Sequence, residues 1–141
     1  KITNLIKNKK LNNIYIFPMQ SENRISEVYS LGDVSFVICK KGVGKSAFPS
    51  KAISIMATGT PIIASFDTDS DLSRIIEKEK IGLCVKPEDI DAAIDAILKL
   101  YKNRKLCKEY GANGRKLACS RFSKNNVKYT ISIIEKFANK K

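Results

Sequence analysis

The sequence contains no histidine and no tryptophan, and its four cysteines stand far apart. Cys39, Cys84, Cys107 and Cys119 form no Cys-x-x-Cys pair. Structural zinc sites rely on such pairs or on histidine, and a Cys–His nucleophile needs histidine. The composition therefore argues strongly against both kinds of site, and we expect the four thiols to be buried and reduced.

The sequence also has no apolar run of the roughly 18 residues that a membrane-spanning helix needs. Its charged first ten residues, KITNLIKNKK, lack the apolar core of a signal peptide. With 141 residues and 43% apolar content, the chain has the size and composition of one soluble globular domain. We expect a cytoplasmic protein and leave open a peripheral contact at the inner face of the membrane.

Acidic residues are scarce in the last third of the chain. Residues 98–141 carry 13 basic and 2 acidic side chains, whereas residues 51–97 carry 5 and 9. Three explanations compete: nucleic-acid binding, contact with anionic lipid head groups, or a lysine-rich composition without local function. Nucleic acid is the least favoured partner, because lysine far outnumbers arginine, whose planar fork suits specific phosphate recognition better.

Short apolar runs alternate with helical stretches, a pattern typical of a parallel α/β sheet. Four runs predict buried strands: IYIF (14–17), VSFVIC (34–39), PIIAS (61–65) and GLCV (82–85). The intervening segments predict helices at 22–30, from Ser50 or Lys51 to Thr58, after Asp69–Ser70, after KPED (86–89), and at about 104–119 and 123–138. The predicted fold class is therefore α/β, a Rossmann-like parallel sheet with helices on both faces.

Several predictions concern helix ends and helix faces. Ser50 is the expected N-cap of its helix, and Gly59 and Gly82 are the expected left-handed residues that close helices. The helix after KPED carries one apolar stripe, and the last helix is expected to turn four apolar residues inward. The stripe consists of Ile90, Ile94, Ile97, Leu98 and Tyr101, and the inward residues are Val127, Ile131, Ile134 and Phe137.

The predicted domain organisation is incomplete at the N-terminus. A helical segment at 1–11 leads directly into the strand at 14–17, although an α/β domain normally opens with a strand. We therefore expect the first strand to be missing and the chain to be a fragment or a domain without its partner. Residues 1–122 are assigned to the Rossmann-like domain and residues 123–141 to a C-terminal helix.

The stretch KGVGKSAFPSK (41–51) looks at first like the phosphate-binding loop of an NTPase. That loop requires G-x-x-x-x-G-K-[ST], but Cys39 stands where the first glycine must be. Pro49 also falls where the helix after Lys45–Ser46 would run, and proline would remove a helical hydrogen bond there. The sequence likewise lacks the G-x-G-x-x-G of a dinucleotide-binding dehydrogenase, so both classes are disfavoured.

A different arrangement still predicts phosphate binding. Gly42–Val43–Gly44 follows the 34–39 strand at its carboxyl end, where open α/β sheets bind ligands. The next helix begins at Pro49–Ser50–Lys51, and its N–H groups and positive dipole end face the same crevice. Lys45 and Lys51 add positive charge. We therefore expect a diphosphate between the glycine loop and this helix start.

The segment from VYSLGDV (28–34) to IDAAIDAILKLY (90–101) resembles the C-terminal, nucleotide-sugar-binding half of GT-B glycosyltransferases of the glycosyl transferases group 1 (family 4) type. The glycine loop, FPSK (48–51) and MATGTP (56–61) follow the order and spacing of that family. The PSK motif is most similar to the capsule and O-antigen branch. The resemblance covers nearly the whole chain and implies one half of a GT-B fold without its N-terminal acceptor domain.

The resemblance also implies roles for individual residues. Gly42, Val43 and Gly44 would approach the diphosphate or sugar of the donor. Pro49, Ser50 and Lys51 would present the helix start to the diphosphate, with Lys45 as a further cation.

Other roles come from the neighbouring motifs of the family. Pro18 and Met19 in FPMQ (17–20) would contact the nucleobase, and the loop from Asp67 to Ser70, with Asp69 and Ser70, would lie near the donor. Ser54 stands where many members have the glutamate that holds the ribose hydroxyls, so ribose recognition by a carboxylate is in doubt.

The reaction implied by the resemblance is retaining, metal-independent hexosyl transfer from a UDP- or GDP-linked sugar in polysaccharide synthesis, without a cofactor. A helix dipole and cations would stabilise the leaving nucleoside diphosphate. The acceptor and its deprotonating group would belong to the missing domain, so no catalytic residue is assigned and the chain alone is expected to be inactive. The alternative is a non-enzymatic basic module that binds nucleic acid or an anionic membrane.

Overall fold

The computed structural model describes residues 2–46, 48–123 and 125–138. Within them, three strands are β1 (Ser35–Ile38), β2 (Ile62–Ser65) and β3 (Gly82–Val85). The α-helices are α1 (Ile2–Asn8), α2 (Ile25–Ser30), α3 (Ser50–Thr58), α4 (Asp71–Glu79), α5 (Ile90–Lys102), α6 (Arg104–Arg121) and α7 (Asn125–Ala138). Short 3-10 turns occupy Glu22–Arg24 and Gly44–Ser46.

The three strands form one parallel sheet with β2 in the centre. Ile62 of β2 lies opposite Ser35 of β1 on one side and Gly82 of β3 on the other. Parallel strands need long crossovers, and α3 and α4 supply them. The carboxyl ends of all three strands therefore lie at the same edge of the sheet.

Helices cover both faces of this sheet, as the sequence predicts. Successive side chains of a strand point to opposite faces. Ile62 and Ala64 join the core cluster that contains side chains of α3, α4 and α6. Ile63, between them, joins a second cluster with Ala96 and Leu100 of α5. Such a central strand, buried on both faces, explains the continuous apolar run PIIAS.

The predicted strand at 14–17 is wrong. Residues 14–20 have no regular secondary structure, and Ile14, Tyr15, Ile16 and Phe17 are all exposed. A strand persists only when a neighbour takes up its N–H and C=O groups. Among the described residues β1 pairs with β2 alone, so this apolar run has no adjoining strand.

Two predicted helix ends also need correction. Pro49, not Ser50, is the N-cap of α3; its extended backbone (φ −72°, ψ 124°) suits proline, which has no N–H to satisfy. Gly59 does close α3 in the left-handed region (φ 76°). Gly82 closes no helix: Lys80 is the left-handed residue after α4 (φ 51°), and Gly82 begins β3.

The apolar faces of α5 and α7 point to solvent. All five residues of the α5 stripe are exposed, and α5 packs through Ala92, Ala93, Ala96 and Leu100 instead. Val127, Ile131 and Ile134 of α7 are exposed too, against the expectation that they face inward. The side chain of Phe137 lies outside the described residues. None of the described helices is both long enough and apolar enough to cross a bilayer.

The cysteines are free and differ in exposure. Cys107 is buried and Cys39 and Cys84 are partly buried, but Cys119 is exposed, so the expectation of four buried thiols is wrong for Cys119. Burial raises the pKa of Cys84 to about 11 and also raises the pKa of Cys107. Both thiols therefore stay protonated and weakly nucleophilic at neutral pH.

Helix α6 crosses the end of α3 at a glycine. A Cβ on Gly111 would lie 2.0 Å from the carbonyl oxygen of Gly59, which is backbone and cannot move aside easily. A Cβ on Gly114, one turn later, would lie 3.6 Å from Met56, an ordinary van der Waals distance. Only the first glycine is thus required by the packing of α6 on α3.

This difference gives a matched pair of stability predictions. Gly111→Ala should lower the free energy of unfolding by roughly 1–3 kcal/mol, because the added methyl group forces the two helices apart. Gly114→Ala should raise it by up to about 1 kcal/mol, because alanine favours the helix and fits. Urea unfolding followed by circular dichroism measures both. Equal effects in the two variants would contradict the assigned contact.

Candidate functional site

The carboxyl edge of the sheet brings together three loops. Strand β1 leads into the glycine loop (residues 40–46), β2 into residues 66–70, and β3 into Lys86–Pro87. They surround an open cleft of about 560 Å³. Its lining residues are Lys41, Gly42, Lys45, Asp67, Thr68, Asp69, Lys86 and Pro87. Three lysines and two aspartates thus face one cleft at the edge where α/β sheets bind ligands.

The glycine loop is hydrogen-bonded to the carboxylate of Asp67. The N–H of Gly42 donates to both carboxylate oxygens (3.0 and 2.9 Å), and the N–H of Gly44 donates to Oδ2 (2.9 Å). Asp67 is buried, only 8% exposed. Burying a carboxylate is costly unless donors replace its water, and the two backbone amides do so here. While this arrangement holds, neither amide is available to a diphosphate.

Each glycine of the loop has its own structural reason. Val43 N–H donates to the Lys40 carbonyl (3.2 Å), which closes a turn that places Gly42 at φ 82°, a region that glycine adopts without strain. A Cβ on Gly44 would lie 2.7 Å from the ring of Phe66 and 3.1 Å from Asp67 Oδ2. The second glycine therefore allows the loop to approach the residues after β2.

Lys45 adds a second link between the same two loops. Its Nζ lies 2.6 Å from Oδ2 of Asp69, and both side chains are more than half exposed. The hydrogen bond from Lys45 lowers the pKa of Asp69 and, reciprocally, raises the pKa of Lys45. An exposed pair of this kind contributes little to stability, but it fixes which way the two side chains point.

The start of α3 lies beyond the glycine loop and carries no side-chain cap. Among the residues that the structure describes, no side chain hydrogen-bonds its first N–H groups, and the hydroxyl of Ser54 donates weakly to the Ser50 carbonyl (3.4 Å). Ser50 and Lys51 are exposed, and Pro49 and Ser54 are partly so. The helix therefore presents its positive end to solvent at the carboxyl side of the sheet.

The structure brings together only part of the predicted set. Gly42, Lys45 and Asp69 line the cleft, and Val43 is exposed at the tip of the loop. Ser70 is 1% exposed: it is the N-cap of α4 and accepts a hydrogen bond from the N–H of Ser73, so its side chain is not available to a ligand.

The proposed base-reading residues lie apart from this cleft. Pro18 and Met19 are exposed, Met19 to 99%, and neither lines it. Their role stays a prediction. The roles of Pro49, Ser50, Lys51 and Ser54 also stay predictions, since these residues belong to the α3 start and not to the cleft wall.

Sequence reasoning assigns no individual role to three charged residues of the cleft. Asp67 belongs to the loop 67–70 that is expected near the donor, but its carboxylate has no assigned function, and Lys41 and Lys86 have no predicted role. A signal was nevertheless present, because each of the three follows a predicted strand within three residues. Charged residues at that position of parallel strands share one edge of the sheet.

Comparison with known proteins identifies the class. Residues 1–117 match the family Glycosyl transferases group 1. The chain belongs to this family, whose members transfer sugars, as the motifs at 42–61 suggested.

Two curated relatives carry glycosyltransferase names. The chain is 27% identical over 114 residues (78% of its length) to the candidate colanic acid biosynthesis glycosyl transferase WcaI of Escherichia coli (strain K12). It is 33% identical over 78 residues (55% of its length) to the phosphatidyl-myo-inositol mannosyltransferase of Mycobacterium leprae (strain TN). These alignments span only 28% and 20% of the relatives.

Solved structures confirm the fold. Sucrose-phosphate synthase of Thermosynechococcus elongatus superposes with a TM-score of 0.81 at 24% identity, over 97% of this chain and 33% of the other. The C-terminal domain of a glycosyl transferase group 1 family protein (LpcC) of Francisella tularensis gives 0.67 at 23% identity, over 87% and 61%. The chain therefore has the Rossmann-like half of a GT-B fold.

The Lys45–Asp69 pair yields a test by pH. Lys45→Gln removes the hydrogen bond that holds the pKa of Asp69 down, so the Asp69 carboxyl should titrate at higher pH than in the parent protein. In the parent, this pair stabilises the fold above the ordinary aspartate pKa and ceases to do so as the pH falls. Carboxyl carbon shifts in an NMR pH titration report the change.

Lys86→Gln is the control, since Lys86 lines the same cleft but is not among the groups that shift Asp69. An Asp69 titration that moves equally in both variants would contradict the pairing.

Proposed function

We propose that this chain is the donor-binding part of a glycosyltransferase and holds a UDP- or GDP-linked sugar at the carboxyl edge of its sheet. In this proposal the chain corresponds to the C-terminal half of a GT-B enzyme. The acceptor, a growing polysaccharide or a lipid-linked sugar, binds to a separate N-terminal domain. Family membership supports sugar transfer, and the donor and acceptor classes are inferences from the site.

The observation that carries this proposal is the start of α3, which no described side chain caps, at the same edge of the sheet as a cleft lined by three lysines. Unpaired N–H groups at a helix start and the helix dipole favour a phosphate there. Lys51 lies in the first helical turn, where the dipole disfavours a cation unless an anion is bound nearby. The cleft at this edge has a net charge of +1, because it is lined by three lysines (Lys41, Lys45 and Lys86) and two aspartates (Asp67 and Asp69).

The proposed chemistry is metal-independent transfer with retention at the anomeric carbon. The bond from that carbon to the diphosphate oxygen breaks, a bond to the acceptor hydroxyl oxygen forms on the same face of the sugar, and the hydroxyl proton passes to a group of the acceptor domain. The helix start with its lysines stabilises the negative charge that develops on the leaving diphosphate. In this proposal Ser54, one helical turn after Ser50, meets the ribose with its hydroxyl, at the position where the resemblance implies a carboxylate in many family members. We infer no catalytic residue within this chain.

Calorimetry with a nucleotide panel tests the proposal. UDP, GDP, ADP and the corresponding sugar nucleotides are titrated into the protein, and at least one diphosphate should bind. Lys51→Ala should weaken that binding roughly tenfold, the value of one charge-assisted hydrogen bond. The same variant should keep or slightly raise thermal stability, because it removes an unfavourable charge from the helix start.

Lys99→Ala serves as the matched control, because Lys99 is an exposed lysine on α5. If every diphosphate fails to bind the parent protein, the proposed function is wrong. If Lys51→Ala and Lys99→Ala bind alike, the helix start does not hold the diphosphate.

A peripheral contact with anionic membrane is a second proposal, supported by α7. This helix exposes Val127, Ile131 and Ile134, which recur at helical spacing along one side. Residues 98–141, which include it, carry the 13 basic and 2 acidic residues already noted. An amphipathic helix in a basic region lies favourably at an anionic lipid surface.

Vesicle flotation tests the membrane contact. The protein should float with phosphatidylglycerol-containing vesicles and not with phosphatidylcholine vesicles, and the bound fraction should fall as salt rises. Ile131→Gln with Ile134→Gln should reduce binding severalfold, whereas Ile94→Gln with Ile97→Gln on α5 should not. Equal losses, or filter binding to nucleic acid that exceeds vesicle binding, would refute the contact through α7.

A further inference from the structure

The hydrogen bonds between Asp67 and the glycine loop affect which groups of the site can bind phosphate. A short loop whose N–H groups converge on one point is an anion site. Here the N–H groups of Gly42 and Gly44 converge on Asp67, a buried carboxylate 25 and 23 residues further along the chain. The anion at this site is therefore part of the protein.

The environment of Asp67 shows that this contact is built into the fold. Asp67 follows β2 closely, and its carbonyl accepts hydrogen bonds from the N–H of Ser70 (3.0 Å) and the hydroxyl of Ser73 (2.9 Å). Ser73 is itself fully buried in α4. The backbone of Asp67 is thus anchored on one side by α4, while its side chain holds the glycine loop on the other.

We propose that Asp67 is the positioning residue of the donor site: its carboxylate occupies the anion-binding amides of the glycine loop and fixes the loop for a diphosphate that binds elsewhere. The proposal rests on the proposed function. Under this proposal, phosphate contacts the side chains of Lys41 and Lys45 and the α3 start. The amides of Gly42 and Gly44 do not contact the ligand.

The position of Lys45 shows what the fixed loop achieves. Lys45 directly follows Gly44, and Lys41 directly precedes Gly42, so both hydrogen-bonded amides flank a cleft-lining lysine. Holding the two amides therefore fixes the backbone from which both lysines extend. Because Asp67 satisfies the amides, the cleft offers a ligand the lysine side chains of a fixed backbone and not a preformed phosphate cradle.

Chemical rescue tests this inference. Asp67→Ala removes the carboxylate but leaves space for a small one. In NMR spectra of the variant, the amide protons of Gly42 and Gly44 should move upfield, and formate should restore both signals in a saturable way. Diphosphate affinity, measured by calorimetry with the tightest nucleotide found for the parent protein, should fall about tenfold and recover with formate.

Rescue by formate distinguishes a positioning role of Asp67 from a general structural role, because a small carboxylate should not restore a fold that is weakened as a whole. Asp71→Ala is the control: Asp71 is an exposed aspartate paired with Arg74, and its loss removes the same charge. The control variant should show neither the amide shifts nor the formate response.

Asp67→Asn covers the case in which Asp67→Ala fails to fold. Its side chain keeps the volume, but it is neutral and has one acceptor oxygen where the carboxylate has two. Gly42, which donates to both oxygens, should lose one acceptor, both amides should lose the charge assistance of their hydrogen bonds and shift, and diphosphate should bind less tightly. Amide shifts unchanged in Asp67→Asn would overturn the proposal.

Two further results would also overturn the proposal. In the first, diphosphate binds Asp67→Ala more tightly than it binds the parent; in the second, diphosphate displaces Asp67 in the parent and shifts the amide signals of Gly42 and Gly44. Failure of the proposed function would give a different result. In that case no nucleotide binds the parent, while the formate response of the amides still decides whether Asp67 holds the loop.

Discussion

The parallel pairing of β1 and β3 on β2 is the constraint on which the rest of the structure depends. β2 uses its backbone groups on both sides and buries its side chains on both faces. This pairing forces the three carboxyl ends to one edge, which places Lys41, Asp67 and Lys86 around one cleft although they are widely separated in sequence. The helices complete the two cores, but the position of the site follows from strand direction alone.

The hydrogen bonds of the glycine loop differ from those that a phosphate-binding loop would make. The residues KGVGK have the composition of a phosphate loop, yet their converging amides hold a carboxylate of the same chain. An unpaired buried carboxylate costs several kcal/mol, so the two amides and the aspartate satisfy each other. Under the proposed function, recognition of a diphosphate then depends on exposed lysines and a helix dipole, both of which act on charge more than on shape.

Much of the fold could be predicted from patterns along the chain, and the apolar segments that are exposed in the structure share one cause. Three of four predicted strands and all the predicted helices are present, because apolar periodicity reports local structure directly. The run at 14–17 and the stripes on α5 and α7 are apolar as predicted, yet they are exposed. Periodicity identifies an apolar face but does not say which element covers it. The chain spans 28% of its relative WcaI and 33% of the superposed synthase.

The sequence by itself determined the α/β class, the order of the helices and of the three strands of the sheet, and the family, because these depend on local periodicity and on motifs at fixed spacing. Only the tertiary structure decided the partners at the site. It paired Asp67 with Gly42 and Gly44, joined Lys45 to Asp69, and buried Ser70 as a cap. Those contacts join residues brought together by strand pairing, and which atoms meet across two loops depends on ångström distances that no linear spacing specifies.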